Sequence, residues 1–384
     1  MTDKQEILTV LVPTRDRADT LVHCLKTITS QTNPNIEILV SDNFSGPEVK
    51  QVVDNIDDKR LRYIRTSERM GMSEHWDFAL NHVKGDWVTI IGDDDALLPG
   101  AIDKFFTLSQ KHPNIKAITC ANCWYRWPNN QNEGKIGIIS GRGYEIRNSR
   151  EYIAKTLNGE PVSQPTIYTG GFVHMDVINK SKEQSKDGVF FHSMNPDLYS
   201  GMAISSITDK FIYSWQAWAI AGTSRHSTGF SHKDKTQKEV ETLPFHQESK
   251  LKFHSALGDS TKAFVGSMHI YLYEAYLQTS FLRNYDLGYS IENQLKLFIA
   301  QATKRTKQSI TSYCRQVATL NNLDFAPILA AANRRRPMYK IKKMARKLAR
   351  HIPGMSKLPR KVILDPSIRT VYDASIRIGK ELAA

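Results

Sequence analysis

The run Trp87-Val-Thr-Ile-Ile-Gly-Asp-Asp-Asp-Ala-Leu-Leu-Pro-Gly100 carries an apolar strand straight into three consecutive carboxylates. Three like charges at the mouth of a strand repel one another and cannot pair internally, so a cation is the partner the arrangement calls for. Oxygen-only ligands favour Mg²⁺ or Mn²⁺ over zinc, and Mg²⁺ is typically held by one or two carboxylates plus phosphate oxygens of a bound substrate. The motif therefore implies a nucleotide-diphosphate site. The competing reading is a solvated loop whose carboxylates favour the N-terminus of the helix after Pro99.

The elements around the triplet decide between these readings. Ile7 to Val12, Ile36 to Val40, Leu61 to Arg65 and Trp87 to Ile91 read as buried strands, and Ala18 to Ser30, Glu48 to Ile56 and Ser73 to Val83 as helices between them. Such alternation predicts a doubly wound parallel sheet, in which ligands gather outside the carboxyl ends of the strands. Those ends carry Pro13-Thr14-Arg15, Ser41-Asp42-Asn43 and Asp93-Asp94-Asp95, so polar residues from three strands converge where a ligand belongs. On the helix from Ser73, the spacing of His75, Trp76, Ala79 and Leu80 suits one buried face.

Beyond Gly100 a helix to Lys111 and a strand from Ile115 to Cys120 continue the pattern, and residues 128–148, rich in Asn and Gly, read as a loop or hairpin. Gly170 to Met175 resembles a strand, Pro196 to Ile207 a helix and Phe211 to Ile220 an aromatic strand. From about Leu243 the chain reads as mostly helical, with linkers near Pro327 and Pro337. Cys24, Cys120, Cys123 and Cys314 lack the spacing of a disulfide framework or a zinc site and read as buried free thiols. No charged-then-apolar leader opens the sequence and no apolar run nears the roughly 20 residues that span a bilayer, so a reducing, cytoplasmic location is expected.

With the first strand ending in Val12-Pro-Thr-Arg15, the second in Val40-Ser-Asp-Asn43, and the run from Gly85 to Gly100, the chain resembles the family 2 glycosyltransferases over roughly residues 5 to 230. The resemblance implies a GT-A fold, that is, an α/β, Rossmann-like, mainly parallel sheet flanked by helices. It also implies a nucleotide-diphosphate sugar donor, Mg²⁺ or Mn²⁺, and inversion at the anomeric carbon. Carried over by residue, it puts Pro13, Thr14 and Arg15 around the nucleotide, Asp42 on the base, where it suits the ring N–H of a uracil or thymine, and Arg69 near a phosphate. Asp94 becomes the primary metal ligand, Asp93 a ribose contact, and Asp95 a further member of the metal set that orients the pair. Many members have Asp where this chain has Gly92. Asp197, in Asn195-Pro196-Asp197, stands where the family carries its general base, and His226 is placed to complete the metal shell or contact the diphosphate.

Charge sets the rest of the chain apart. The 384 residues carry 52 Lys and Arg against 39 Asp and Glu, a net charge of +13, and twelve of the basic residues lie between Arg334 and Lys361 with no acidic one among them. Ile341, Met344, Ala345, Leu348 and Ile352 share one helical face there, the pattern of a helix lying on anionic lipid. A solvated helix packed on its own domain competes with that reading, and the lack of a nucleic-acid-binding motif disfavours DNA or RNA. The expected organisation is a GT-A domain over 1–232, a helical region over 233–333 and a basic amphipathic extension over 334–384. The expected activity is sugar transfer to a carbohydrate or lipid-linked acceptor in surface polysaccharide or glycolipid synthesis, on the cytoplasmic side of a membrane. Two other readings stay open: a sugar nucleotidyltransferase, and a catalytically degenerate GT-A-like binding protein held to membrane or nucleic acid by its tail.

Overall fold

The computed structural model describes residues 5–128, 134–225, 227, 247–258, 267–349 and 360–383. The first half alternates as the sequence predicts: β1 (Leu8–Thr14), α1 (Ala18–Thr29), β2 (Ile36–Asp42), α2 (Pro47–Asp54), β3 (Leu61–Arg65), α3 (Met72–Leu80), β4 (Trp87–Ile90), β5 (Ala96–Leu97) and α4 (Ala101–Lys111). The chain continues through β6 (Ala117–Arg126), β7 (Lys135–Asn148), α5 (Ser149–Leu157), β8 (Gly171–His174), α6 (Met175–Gln184), α7 (Pro196–Ile207) and β9 (Lys210–Thr223). The C-terminal part comprises α8 (Met268–Gln278), α9 (Ile291–Gln301), α10 (Lys307–Leu320), α11 (Phe325–Ala349), β10 (Arg360–Leu364) and α12 (Val371–Ala383).

The ten strands among the described residues join one sheet, in the order β10-β7-β9-β6-β8-β4-β1-β2-β3 with β5 on β9. β1, β2, β3 and β4 are mutually parallel, and β6, β9 and β10 run the same way, while β5, β7 and β8 run against them. This is the expected α/β architecture, a mostly parallel sheet between helices with a helical C-terminal region. Strands buried on both faces must be apolar throughout. In β1, Leu8, Val10 and Val12 pack toward α1 and α4, and Leu11 packs toward α3.

Residues 135–148, expected as part of a loop or hairpin, form the second arm of an antiparallel hairpin with β6, a long strand whose glycines permit close crossings: a Cβ on Gly137 would sit 2.0 Å from the Trp124 ring. Two elements differ from the sequence reading, each for a local reason. Pro327 and Pro337 lie inside α11 instead of in linkers. Pro327 falls in the first turn, where its missing N–H has no helical partner to lose, and Pro337 forfeits one bond of a 25-residue helix. Residues 360–383, expected in a separate extension, are built into the sheet and its cover. β10 pairs with β7 from Arg360↔Ile139 to Leu364↔Lys135, and Val371, Ala374 and Ile378 of α12 are fully buried.

All four cysteines are free and buried, as expected. Burial pushes the Cys120 and Cys123 thiols up, to about 12 and about 11. Among the described residues no helix is long and apolar enough to cross a membrane.

Candidate active site

The shared strand direction delivers the carboxyl ends of β1, β2, β4 and β9 to one edge of the sheet, and the polar residues singled out in the sequence meet there. The turn after β4 closes on itself: Asp95 N donates to Gly92 O at 3.0 Å, and Gly92 N to Asp95 Oδ2 at 3.2 Å. Asp93, Asp94 and Asp95 are 2%, 5% and 3% exposed, so the solvated-loop reading fails. Three buried carboxylates in consecutive positions carry a large desolvation cost, and the site is built to offset it.

Each carboxylate faces a different element. Asp93 turns to β1 and the loop beyond, accepting from Thr14 Oγ1 at 2.8 Å and Arg17 Nη1 at 3.1 Å. Burial still pushes it up to about 6, with Arg17 pulling down and Asp94 pushing further up. Asp95 turns to β9 and the strand-like segment before β8, accepting from Gly222 N at 2.7 Å and from the Thr169 hydroxyl; burial and then Asp94 raise it. Asp94 Oδ2 accepts from Ser224 N at 3.2 Å, Ser224 Oγ at 2.7 Å and Ser227 Oγ at 2.5 Å. Its backbone carbonyl receives Trp127 Nε1 at 2.9 Å. Gly222 has to be glycine, since a Cβ would lie 1.8 Å from Asp94 O.

The remaining nucleotide-side residues line the same edge. Asp42, fully buried, accepts from Ser45 N at 2.9 Å and Tyr63 Oη at 2.6 Å, with Arg65 Nε 3.6 Å away. Pro13 is half-buried beside Thr14. Arg69 pairs with Asp16 at 2.8 Å on the exposed rim, and Asn43 ties that rim down through two bonds to the Met70 backbone, 2.8 and 2.9 Å. Arg15 is held by both oxygens of Glu248, one of them at 2.9 Å. Glu248 comes from the segment that also bonds α3, where Lys250 N donates to Glu74 at 2.7 Å.

Asp197 occupies the first turn of α7, after Pro196. Burial raises its carboxyl above the ordinary range, against the pull of the Asp197 and Leu198 backbone N–H groups. Residues 166–169 join this residue to the triplet, Thr166 Oγ1 lying 3.4 Å from Asp197 O and the Thr169 hydroxyl donating to Asp95; burial, and then the nearby charges of Asp95, Asp94, Asp197 and Asp93, hold the Tyr168 hydroxyl un-ionised. Trp76 is core, as the sequence indicated, stacked on Tyr168 with ring centroids 5.2 Å apart. Behind Asp197, Ser193 donates to Glu274 of α8 at 2.6 Å and its carbonyl accepts from Ser73 Oγ at 2.6 Å.

Sequence reading missed Arg17, Tyr168, Thr169, Ser224, Ser227, Glu248 and Glu274. A signal existed for the two serines, which lie beside His226 between Gly222 and Gly229; the others sit in runs with no distinguishing spacing. His226 itself lies outside the described residues, as does Ile352 of the basic segment.

Oxygen donors and surplus negative charge suit a hard divalent cation. Among the described residues no group of three or more His, Cys, Asp or Glu side chains is arranged to hold a metal. The fit is therefore to an ion that takes one or two carboxylates and draws its other ligands from a substrate's phosphates.

Residues 9–161 match the family model for glycosyl transferase family 2. The GalNAc(5)-diNAcBac-PP-undecaprenol beta-1,3-glucosyltransferase of Campylobacter jejuni is 34% identical over 160 residues, covering 40% of this chain and 49% of that protein. An uncharacterized glycosyltransferase of Haemophilus influenzae is 29% identical over 112 residues, 29% of this chain and 37% of its own length. The chain thus spans about half or less of the curated relatives it matches. Among solved structures, residues 1–349 of S. aureus TarS in complex with UDP-GlcNAc align with 86% of this chain and 92% of theirs, at a TM-score of 0.50 and 13% identity, a likeness of fold.

Proposed function

We propose that this chain, whose residues 9–161 match the family 2 model, is a glycosyltransferase of that family that moves a sugar with inversion from a UDP-sugar to a hydroxyl of a carbohydrate or lipid-linked acceptor. The observation that carries the reading is the buried carboxylate turn Asp93–Asp95 at the carboxyl edge of the sheet, joined through the segment 166–169 to Asp197, whose carboxyl burial raises. The name of the Campylobacter relative, a glucosyltransferase of an undecaprenol-linked glycan, supports a lipid-linked acceptor.

In this reading Asp42 accepts the ring N–H of the uracil, Pro13 and Thr14 wall the nucleotide, and Asp93 takes the ribose. Arg15 and Arg69 face the diphosphate. Asp94 would hold the Mg²⁺ or Mn²⁺, with Asp95 and His226 completing or orienting that set. The ion, when bound, offsets charge on the leaving diphosphate. Asp197 takes the acceptor proton as that oxygen attacks the anomeric carbon; the bond to the diphosphate breaks, and its electron pair leaves with the phosphate oxygen. A carboxyl raised by burial is the better base near neutral pH.

The helix α11 supports association with an anionic membrane on the cytoplasmic side. Ile341 and Met344 are each 63% exposed, and Arg334, Arg335, Lys340 and Lys342 are exposed around them, so these two apolar side chains are left in solvent among the described residues. The test of the whole reading is release of UDP from a panel of UDP-sugars with Mn²⁺, with and without lipid-linked acceptor. Asp94→Asn is expected to abolish release in both arms. Asp197→Asn is expected to lower transfer ~10²–10⁴-fold while donor affinity stays within about threefold, because the base acts on the acceptor. A wild-type protein that releases no UDP, or that works undiminished in excess EDTA, overturns the reading.

A further inference from the structure

The space over Gly92 is filled by the hydroxyl of Tyr168. A Cβ placed on Gly92 would lie 2.5 Å from Tyr168 Oη and 2.8 Å from Asp95 Oδ2, closer than real Cβ atoms approach other groups. The hydroxyl has little room to retreat. Its ring is stacked on Trp76, which is itself buried and set edge-on against Phe191 at 5.7 Å. The backbone is fixed as well: Tyr168 forms a bridge with Ile90 of β4, and its N–H donates to Thr166 Oγ1 at 3.1 Å. On either side, Ile90 N donates to Ile167 O and Thr169 N to Ile90 O, both at 2.8 Å. The segment that carries Tyr168 is thereby bolted to the strand that carries the acidic turn.

The same segment reaches toward the base. Thr166 Oγ1 lies 3.4 Å from Asp197 O and 3.1 Å from Ser200 Oγ, and Ile167 N donates to Ser200 Oγ at 3.3 Å. Residues 166–169 therefore touch α7 at one end and Asp95 at the other, with the Tyr168 hydroxyl between. A carboxylate at position 92 would add a fourth negative charge to the turn. The phenol in its place adds none and supplies a hydrogen-bond donor.

We propose that Tyr168 is a positioning residue shared by the two halves of the site: its hydroxyl fills the volume over Gly92, donates to Asp95, and sets the carboxylate turn against Asp197, so that Gly92 and Tyr168 form one matched pair. The pairing of Gly92 with Tyr168 is a matter of packing alone, and the effect on turnover rests on the glycosyltransferase reading above. Three full-length variants test it: Tyr168→Phe, Gly92→Ala and the double variant. The first keeps the ring stack and removes only the hydroxyl.

Melting temperature reads the packing. Gly92→Ala alone is expected to lower it by several degrees or to abolish folding, and in the Tyr168→Phe background the same substitution is expected to lose at least half of its effect. Additive shifts, or a double variant no better folded than Gly92→Ala, overturn the pairing. UDP release with Mn²⁺ reads the positioning. Tyr168→Phe is expected to lower kcat ~10–100-fold with KM for the donor within about threefold, the signature of lost alignment rather than lost binding. An unchanged kcat in a folded Tyr168→Phe protein overturns the positioning role. If the wild type releases no UDP, the glycosyltransferase reading fails while the melting temperatures still decide the pairing, so the two failures are distinguishable.

Discussion

Glu274→Gln isolates the ionisation of one buried acid. Glu274 is fully buried on α8; Oε2 accepts from Ser193 at 2.6 Å, while Oε1 has no hydrogen bond of good geometry. Burial pushes it from 4.5 up to about 7, against the pull of Ser193, Gln278 and the His254 backbone. Among the described residues Tyr199, Tyr271 and Tyr313 interact with it electrostatically, and none of the three supplies a positive charge. The folded chain thus keeps a proton that the unfolded chain releases, so this contribution is fully present below about pH 4.5 and is lost as pH rises through about 7. At about 1.4 kcal/mol per pH unit the loss by pH 8 is roughly 3 kcal/mol. Gln is neutral throughout and keeps an oxygen for Ser193. Melting curves from pH 5 to 8.5 are expected to converge at the acid end and to separate by ~5 °C at pH 8, the Gln variant being the more stable. Asp77, raised to about 6 by burial, titrates in both proteins and drops out of the difference. Curves that stay parallel across the range would refute a buried, proton-holding Glu274.

Three further outcomes follow from particular contacts. Glu248→Ala releases Arg15 from its carboxylate partner and is expected to tighten UDP binding in the presence of Mn²⁺ by about 2–5-fold, the scale of a partly exposed ion pair; weaker binding by calorimetry would show that Glu248 helps hold the donor. Ile341→Glu with Met344→Glu removes two exposed apolar contacts from α11 and is expected to lower sedimentation with anionic vesicles by about tenfold while leaving the melting temperature unchanged; equal vesicle binding would exclude this face as the anchor. Truncation after residue 359 removes β10 and the buried Ile368, Val371, Ala374 and Ile378, ~5 kcal/mol or more of burial against a total stability of ~5–15 kcal/mol. The truncated chain is expected to aggregate or melt far below the full chain, and an unshifted melting temperature would show that this cover is dispensable.

What the sequence made legible was whatever local pattern encodes. The parallel strands β1, β2 and β4 announce themselves as apolar runs because they are covered on both faces, and their carboxyl ends follow from topology, so Thr14, Asp42 and the Asp93–Asp95 turn could be gathered in advance. The partners of those residues are another matter. Thr169, Gly222 and Ser224 lie more than seventy positions from the aspartates they serve, and no periodicity links them. Composition left β7 open between loop and hairpin, and it is a hairpin arm whose glycines admit Trp124 and the Trp215 carbonyl. Composition misled at the basic segment, where one run of charge covers two kinds of structure: α11 leaves Ile341 and Met344 in solvent, whereas residues 360–383 are drawn back onto the sheet. The reason lies at the acidic turn. Its exit strand β5 holds two residues and, among the described residues, pairs with β9 alone, so the turn needs cover from outside the sheet. α12 supplies it, with Gly379 so close to Pro99 that a Cβ would stand 3.1 Å from the proline ring. α12 therefore packs on the exit of the turn that the first hundred residues place, a long-range closure that a charge count reads as a detachable tail.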